Sequence, residues 1–309
     1  MAFNTIRCFS EVASCYDGFI LDQFGVMHNG SHALPGSSEC VSKLAEMGKK
    51  LIILSNTSST SKDALKKLPS LGFDPKDFVG AVTSGEEASR FIRETYGNDE
   101  HEKKKAIWFT WDDSNPSSKN FLELCGNIVP TINVDEADFV ITHGCKVLRG
   151  EKGEMVSLER FMEDENYSVI DKILEVCSKK GLPMVCANPD FICKLAGGVT
   201  GHMPGKIAAR YERLGGVCTY FGKPHVEHFK ACLRELGLES SKVVHVGDSL
   251  HHDIAGANAS GIDSIFISGG IHCEEFDVPI GDLPSTESLS KLFEKEGYTP
   301  TNVCPLLRF

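Results

Sequence analysis

Short apolar runs that end in Gly, Ser, Thr or Asp alternate along this chain with stretches of helical periodicity. This alternation is typical of βαβ units around a parallel sheet, and it therefore predicts an α/β fold. The runs predicted as strands are Gly18–Leu21, Lys50–Leu54, Ala106–Phe109, Phe139–Ile141, Pro183–Cys186, Lys242–Val246 and Asp263–Ile267. Two of the helices predicted between them run from Gly36 to Met47 and from His225 to Leu236.

The length of 309 residues indicates two compact units rather than one. The middle third of the sequence becomes polar and rich in charge in two places, as loops do where a second unit is inserted into a first. We therefore expect a discontinuous core domain formed by residues 1–84 and 218–309, with an α/β insert formed by residues 85–217. Small residues near Gly85 and Gly216 are the expected hinges between the two domains.

The charge balance and the cysteines limit the partners and the compartment. Acidic residues outnumber basic ones, 43 to 32, and the formal net charge is −11. Nucleic acid and anionic lipid would be repelled by this charge, so we expect neither a nucleic-acid nor a membrane partner. The twelve cysteines form no C-x-x-C pair, and the N-terminus has no continuous apolar segment of the kind that directs secretion. We therefore expect a cytoplasmic protein.

Polar residues that can do chemistry lie where predicted strands end, or just before a helix that starts at a proline. Ligands of parallel sheets bind at the carboxyl edge, where such residues come together. Carboxylates suit a hard divalent cation, whereas a hydroxyl, an amide and a lysine suit phosphate oxygens. The residues in question are Asp22, Ser55, Asn56, Lys223, Asp248 and Asp253.

Four segments in this order resemble the four motifs of the haloacid dehalogenase superfamily, and in detail its class IIA branch of NagD-like and para-nitrophenylphosphatase-like phosphatases. The segments are Leu21–Val26, Leu54–Thr57, Tyr220–Pro224 and Val246–Ser249, with Asp253 after the last of them. Further similarity lies in Thr83–Glu86, Asn188–Asp190 and Gly256–Gly261, so the resemblance covers nearly the whole chain.

The resemblance implies a Rossmann-like three-layer core with a parallel sheet. It also implies that the insert is an α/β cap domain of the C2 type, which closes over the core and determines substrate choice. The implied function is that of a magnesium-dependent hydrolase, a phosphatase acting on a small phosphorylated metabolite. Caps of this class often pair, so a homodimer is an option that the sequence leaves open.

The resemblance also implies a role for each polar residue. Asp22 would attack phosphorus and form an aspartyl-phosphate, which divides one difficult displacement into two easier steps. Ser55, Asn56 and Lys223 would hold the phosphoryl oxygens, and the lysine would neutralise charge that spreads over them in the transition state.

The implied Mg²⁺ site consists of the carboxylates of Asp22 and Asp248 and the backbone carbonyl of Phe24. Asp253 would lie behind these ligands and orient metal-bound water or Lys223.

Phe24 departs from the pattern of the phosphatases. That family usually has an aspartate at this position, which protonates the leaving oxygen and then activates water. Phenylalanine can do neither, and general acid catalysis contributes roughly 10²- to 10⁴-fold to a rate. His28 is a candidate substitute, because it lies in the segment expected beside the site and an imidazole titrates near neutral pH.

Two other functions remain open at this point. An aromatic residue after the nucleophile also occurs in 2-haloacid dehalogenases, whose aspartate attacks carbon without a metal; Asp248, an acid at the metal position, argues against that reading. A protein that binds a phosphorylated metabolite without turning it over is the second alternative. The substrate itself carries no short sequence signature.

Overall fold

A computed structural model describes residues 3–99, 101–113, 117–194 and 199–309. Contacts between residues divide the chain into two compact units. The first unit contains the chain up to Ser55, the segment Ser61–Val82 and the segment Lys223–Phe309, and the second contains Asn56–Thr60 and Thr83–Gly222.

The secondary structure alternates between strands and helices along most of the chain. The strands are β1 (Asn4–Thr5), β2 (Gly18–Leu21), β3 (Lys50–Ser55), β4 (Gly80–Thr83), β5 (Lys104–Thr110), β6 (Ile128–Pro130), β7 (Phe139–Thr142), β8 (Val147–Arg149), β9 (Met155–Ser157), β10 (Pro183–Cys186), β11 (Ile192–Lys194), β12 (Thr200–His202), β13 (Val217–Tyr220), β14 (Val243–Gly247), β15 (Asp263–Ile267) and β16 (Asn302–Cys304). The α-helices are α1 (Ser37–Glu46), α2 (Ser61–Lys67), α3 (Ser84–Tyr96), α4 (Ser117–Leu124), α5 (Glu159–Asp164), α6 (Ser168–Lys179), α7 (Pro204–Arg213), α8 (Val226–Leu236), α9 (Ala255–Ser260) and α10 (Thr286–Glu296). Within the described ranges, no helix is both long and apolar enough to cross a membrane.

The sheet of the first unit has the strand order β1-β16-β15-β14-β2-β3-β4. The pairings from β1 through to β3 are all parallel. Both faces of this sheet are buried, because Phe19 and Leu21 of β2 belong to one apolar cluster and Ile20 to another. A strand covered on both faces is apolar at every position, which is why these strands were visible as continuous apolar runs. The predicted α/β fold is confirmed.

The three strands β14, β2 and β3 lie side by side and run in the same direction. Their carboxyl ends therefore meet at one edge of the sheet. Asp248 follows β14, Asp22 follows β2, and Ser55 is the last residue of β3. Residues separated by more than 220 positions in the sequence are thus neighbours at this edge.

The second unit has its own sheet, in the order β13-β10-β7-β5-β8-β9, with β6 paired to β5. Its strands β5, β7, β10 and β13 pair in parallel, whereas β8 and β9 are antiparallel additions. The described part of this unit also contains a two-stranded antiparallel ribbon, β11-β12. Apolar clusters cover both faces of the main sheet, as Ile107 and Trp108 of β5 illustrate by belonging to different clusters.

The unit boundaries differ from those that the sequence predicted. The crossings lie at Val82/Thr83 and Gly222/Lys223, and Gly85 and Gly216 are inside the second unit rather than at its borders. The boundary predicted at residue 218 was wrong because β13 pairs with β10 of the second sheet. The predicted domain division also omitted the segment Asn56–Thr60.

Asn56–Thr60 belongs to the second unit because of hydrogen bonds to it. The Ser58 hydroxyl donates to the carbonyl oxygen of His143 at 2.7 Å, and the Gly85 N–H donates to the carbonyl oxygen of Thr57 at 3.1 Å. The Trp111 indole N–H donates in turn to the Ser58 hydroxyl at 3.3 Å. These are long-range contacts, and no pattern in the segment itself indicates them.

The central strands of the first unit should carry much of its stability. Ile52 of β3 is fully buried, so we expect Ile52→Ala to lower the free energy of unfolding by about 2–5 kcal/mol through lost burial and a residual cavity. Ile280→Ala deletes the same atoms from a side chain that is 67% exposed, and should change that free energy by less than about 0.5 kcal/mol. Urea unfolding followed by far-UV circular dichroism compares the two, and equal effects would contradict the assignment of the core.

Candidate active site

Lys223 lies buried between two carboxylates at the carboxyl edge of the first sheet. Its Nζ is 2.6 Å from Oδ1 of Asp22 and 2.8 Å from Oδ1 of Asp253, and its side chain is 3% exposed. Asp253 lies in the single helical turn Leu250–Ile254 that leads into α9, and it is almost fully buried. The lysine therefore holds the end of β2 and this turn together by two charge-assisted hydrogen bonds.

Asp248 approaches the same place from the end of β14. Its Oδ2 accepts a hydrogen bond from the Ile271 N–H at 2.7 Å, and the carboxylate is otherwise packed against glycine backbone. A Cβ atom on Gly270 would lie 2.2 Å from this oxygen, and one on Gly25 would lie 2.0 Å from it. Gly25 also has a φ of +84°, which side chains rarely adopt. The two glycines thus form a cradle that only residues without a side chain can provide.

The pKa values of Asp22, Asp248 and Lys223 are all raised, but for different physical reasons. Burial raises the pKa of Asp22 to about 6 even though Lys223 opposes the shift. Burial, together with the charges of Asp22 and Asp253, also raises the pKa of Asp248 well above its usual value. Burial alone would lower the pKa of Lys223, but the two carboxylates outweigh it and raise that pKa. The lysine is therefore a permanent cation, while Asp22 and Asp248 lack sufficient compensating charge.

Oxygen atoms from the carboxylates of Asp22, Asp248 and Asp253 all lie within 4.8 Å of one another. Among the described residues, these three side chains form a cluster that could hold a metal ion. An oxygen-only donor set with too little positive charge is what Mg²⁺ or Ca²⁺ binds in proteins. Asp253 is already engaged by Lys223, so Asp22 and Asp248 are the carboxylates best placed to be ligands. The residues present therefore fit a hard divalent cation.

Ser55 and Asn56 follow one another but belong to different units. The Ser55 side chain is buried at the end of β3, one strand away from Asp22. Asn56 belongs to the second unit, where its amide nitrogen donates to Oδ1 of Asp190 at 2.8 Å. The phosphate-binding roles of both residues remain predictions.

Phe24 and His28 face each other in the turn after β2. Phe24 is 40% exposed, and the two rings meet edge to face with centroids 6.2 Å apart. Nδ1 of His28 accepts a hydrogen bond from the Gly30 N–H at 3.1 Å. Burial, with a contribution from the charge of Lys67, lowers the pKa of His28 to about 4. The lowered pKa favours an uncharged imidazole at neutral pH, and the role of His28 as a substitute acid stays a prediction.

Two histidines that contact the lysine or its partner were not identified from the sequence as site residues. His252 donates from Nδ1 to the carbonyl oxygen of Lys223 at 3.1 Å. His245 lies in the middle of β14 and contacts Asp253 at 2.8 Å. The sequence shows the doublet His251-His252 but does not indicate which residue His252 contacts. His245 lies in an otherwise apolar strand, so nothing in the sequence marked it as a polar contact.

Two models of known protein families match stretches that contain most of the first unit, and the first of these matches extends into the second unit. A model described as haloacid dehalogenase-like hydrolase matches residues 19–117, and one described as HAD-hydrolase-like matches residues 220–286. The matched segments contain Asp22 and Ser55 in the first case, and Lys223, Asp248 and Asp253 in the second. The chain belongs to the haloacid dehalogenase-like hydrolases.

Individual relatives agree with this assignment. The chain is 26% identical to the ribonucleotide monophosphatase NagD of Escherichia coli K12 over 265 residues, which is 82% of this chain and 87% of that protein. Among solved structures, a haloacid dehalogenase-like hydrolase from Brucella suis superimposes with a TM-score of 0.73 at 22% identity, covering 98% of this chain and 99% of that one. The p-nitrophenyl phosphatase from Archaeoglobus fulgidus superimposes with a TM-score of 0.65 at 24% identity, covering 94% and 97%. The structural matches establish the fold.

The crowded carboxylates predict how divalent cations bind. We expect Asp248→Asn to weaken Mg²⁺ binding at least about tenfold, because it removes a full negative charge and a ligand from the same site. Isothermal titration calorimetry measures this affinity directly. Asp277→Asn is the matched control, since Asp277 is exposed in the same unit and makes the same chemical change. Unchanged Mg²⁺ affinity in Asp248→Asn would remove the proposed metal site.

Proposed function

We propose that this protein is a Mg²⁺-dependent phosphatase that hydrolyses a small phosphorylated metabolite through an aspartyl-phosphate on Asp22. The observation that carries the proposal is the buried contact of Lys223 with Asp22 beside the carboxylate of Asp248. Membership of the hydrolase family supports it, as does the similarity to a relative named as a ribonucleotide monophosphatase.

The substrate phosphate would bind where Lys223 now contacts Asp22. Lys223 would hold its oxygens together with Ser55 and Asn56. Mg²⁺ would be held by Asp22, Asp248 and the carbonyl oxygen of Phe24, and when bound it would neutralise charge on the phosphate and the carboxylates. A lysine that stays charged throughout is suited to hold a phosphoryl group.

In the first step, a carboxylate oxygen of Asp22 attacks phosphorus, and the bond from phosphorus to the ester oxygen breaks. The bonding electron pair leaves with the ester oxygen, while Lys223 neutralises charge on the remaining phosphoryl oxygens. In the second step, water attacks phosphorus, which releases inorganic phosphate and restores the Asp22 carboxylate. Both steps need the ionised form of Asp22, and its contact with Lys223 favours that form.

Phe24 determines which esters react well. Because no acid stands at that position, the leaving oxygen must take its proton from water. The missing contribution of roughly 10²- to 10⁴-fold corresponds to about 3–5 kcal/mol of barrier. Acyl, enol and aryl phosphates have leaving groups that need little protonation, and we propose that the substrate belongs to these classes. The second unit would act as the cap that selects among them, as the family resemblance implies.

The proposal predicts turnover of para-nitrophenyl phosphate in the presence of Mg²⁺. Asp22→Asn should abolish it, because an amide is not a nucleophile for this displacement. Asp277→Asn should leave it unchanged. A colorimetric assay with and without a chelator measures this turnover and its dependence on Mg²⁺.

Two other measurements could contradict the assignment as a phosphatase. Release of halide from a 2-haloacid without metal would favour the dehalogenase, for which Phe24 is the supporting observation. Binding of inorganic phosphate by calorimetry without turnover of any ester would favour a binding protein.

The role of Phe24 has a direct test. We expect Phe24→Asp to raise the turnover of alkyl phosphates by up to about 10²-fold, because it restores an acid and base beside the nucleophile. Turnover of para-nitrophenyl phosphate, whose leaving group needs little protonation, should change far less.

Phe24→Asn is the matched control, since it removes the same ring and adds a side chain of the same size that cannot transfer a proton. A similar gain in both variants would mean that the ring obstructs the site and that proton transfer is not limiting. No gain in either variant, with Mg²⁺ binding intact, would mean that another step limits the rate.

A further inference from the structure

His245 is a fully buried histidine inside the central strand β14. It pairs with Ile20 of the neighbouring strand β2, two residues before Asp22. Its Nδ1 lies 3.1 Å from the carbonyl oxygen of Ile20, and its Nε2 lies 2.8 Å from Oδ1 of Asp253. The ring of Phe229 packs edge-on against it at a centroid distance of 5.1 Å.

Both ring nitrogens of His245 face oxygen atoms that can only accept hydrogen bonds. The Ile20 carbonyl has no proton to give. Asp253 is surrounded by donors, because Lys223 lies 2.8 Å from its Oδ1 and the Ser249 N–H donates to its Oδ2 at 3.0 Å, so it is present as a carboxylate. Nε2 of His245 therefore carries a proton and donates it to Oδ1 of Asp253.

The local backbone is adapted to this contact. Side chains two positions apart on a strand point to the same face, so Gly247 lies on the same face of β14 as His245. A Cβ atom on Gly247 would lie 2.1 Å from Cγ of Asp253. The missing side chain leaves the space through which Asp253 reaches both His245 and Lys223.

The result is a chain of hydrogen bonds that ends at the nucleophile. Oδ1 of Asp253 accepts hydrogen bonds from His245 on one side and from Lys223 on the other. Lys223 in turn contacts Asp22 at 2.6 Å. A donor that holds Asp253 in place therefore also fixes the position of Lys223.

We propose that His245 is a positioning residue for the phosphate-binding lysine: its Nε2 donates a hydrogen bond that fixes the Asp253 carboxylate, which holds Lys223 Nζ beside Asp22. This inference rests on the proposed function of the site. A residue that served only to fill the core would not need two polar contacts, and Met would occupy a similar volume among Phe229 and Ile20. His245 itself touches neither the substrate nor the reacting atoms.

The test compares three variants by calorimetric binding of inorganic phosphate at saturating Mg²⁺. His245→Met keeps the volume and removes both ring nitrogens, and should weaken phosphate binding at least about tenfold. His245→Gln keeps a donor at the distance of Nε2, and should stay within about threefold of the wild type. Phe229→Leu is the control for damage to the same core, and should lower the melting temperature while leaving phosphate affinity within about threefold.

A double-mutant cycle shows whether His245 acts through Asp253. In the Asp253→Asn background, His245→Met should weaken phosphate binding by less than about threefold, because the chain is already broken. An undiminished effect in that background would overturn the proposal. So would phosphate affinity within threefold of the wild type in His245→Met alone.

Nitrogen-15 spectra of the wild-type imidazole keep the proposal testable if His245→Met fails to fold. An Nε2 atom that carries a proton would support the proposal, and an unprotonated Nε2 would overturn it. Neither the spectra nor phosphate binding requires turnover. A wild-type protein that binds phosphate but cleaves no ester would therefore refute the phosphatase and leave the role of His245 standing or falling on its own data.

Discussion

The buried contact between Lys223 and Asp22 is the interaction on which the rest of the site depends. Removing an ion from water costs several kcal/mol even after relaxation, and here three carboxylates are buried within 4.8 Å of one another. Lys223 and the backbone N–H groups of Ile271 and Ser249 offset part of that cost. Loss of one partner from such a pair typically costs about 3–5 kcal/mol, because the other charge is left uncompensated. Apolar side chains of similar volume are often at least as stabilising as a buried ion pair, so stability alone does not account for this arrangement.

Much of the first unit could be predicted from the sequence because its strands are buried on both faces. The strands β2 and β15 have the predicted bounds, and β3 is one residue longer than predicted. The short strands β8 and β9 were missed, since three residues carry no recognisable periodicity. The domain boundary predicted at residue 218 was also misplaced, because β13 was not among the predicted strands and the boundary divided it. Only its pairing with β10, a contact between distant residues, decides that it belongs to the second unit.

The candidate site, too, could be predicted only in part from the sequence. Parallel strands end at one edge, so the order of the motifs was sufficient to bring Asp22 and Asp248 together. The sequence did not indicate the surroundings of each side chain. The sequence suggested an imidazole that titrates near neutral pH, whereas burial lowers the pKa of His28 to about 4. His245 looked like part of an apolar strand, and its contact with Asp253 depends on a turn that folds back over Gly247.

The central claim is that Asp22 becomes phosphorylated. Phe24 makes the phosphorylated form easier to detect. The residue that would have activated water is missing, so hydrolysis of the aspartyl-phosphate should be slower than its formation from an ester with a good leaving group. The intermediate should therefore accumulate. Mass spectrometry of acid-quenched protein during turnover of para-nitrophenyl phosphate with Mg²⁺ is the direct measurement. The account predicts a peptide that carries one phosphoryl group on Asp22, and its absence during measurable turnover would contradict the account.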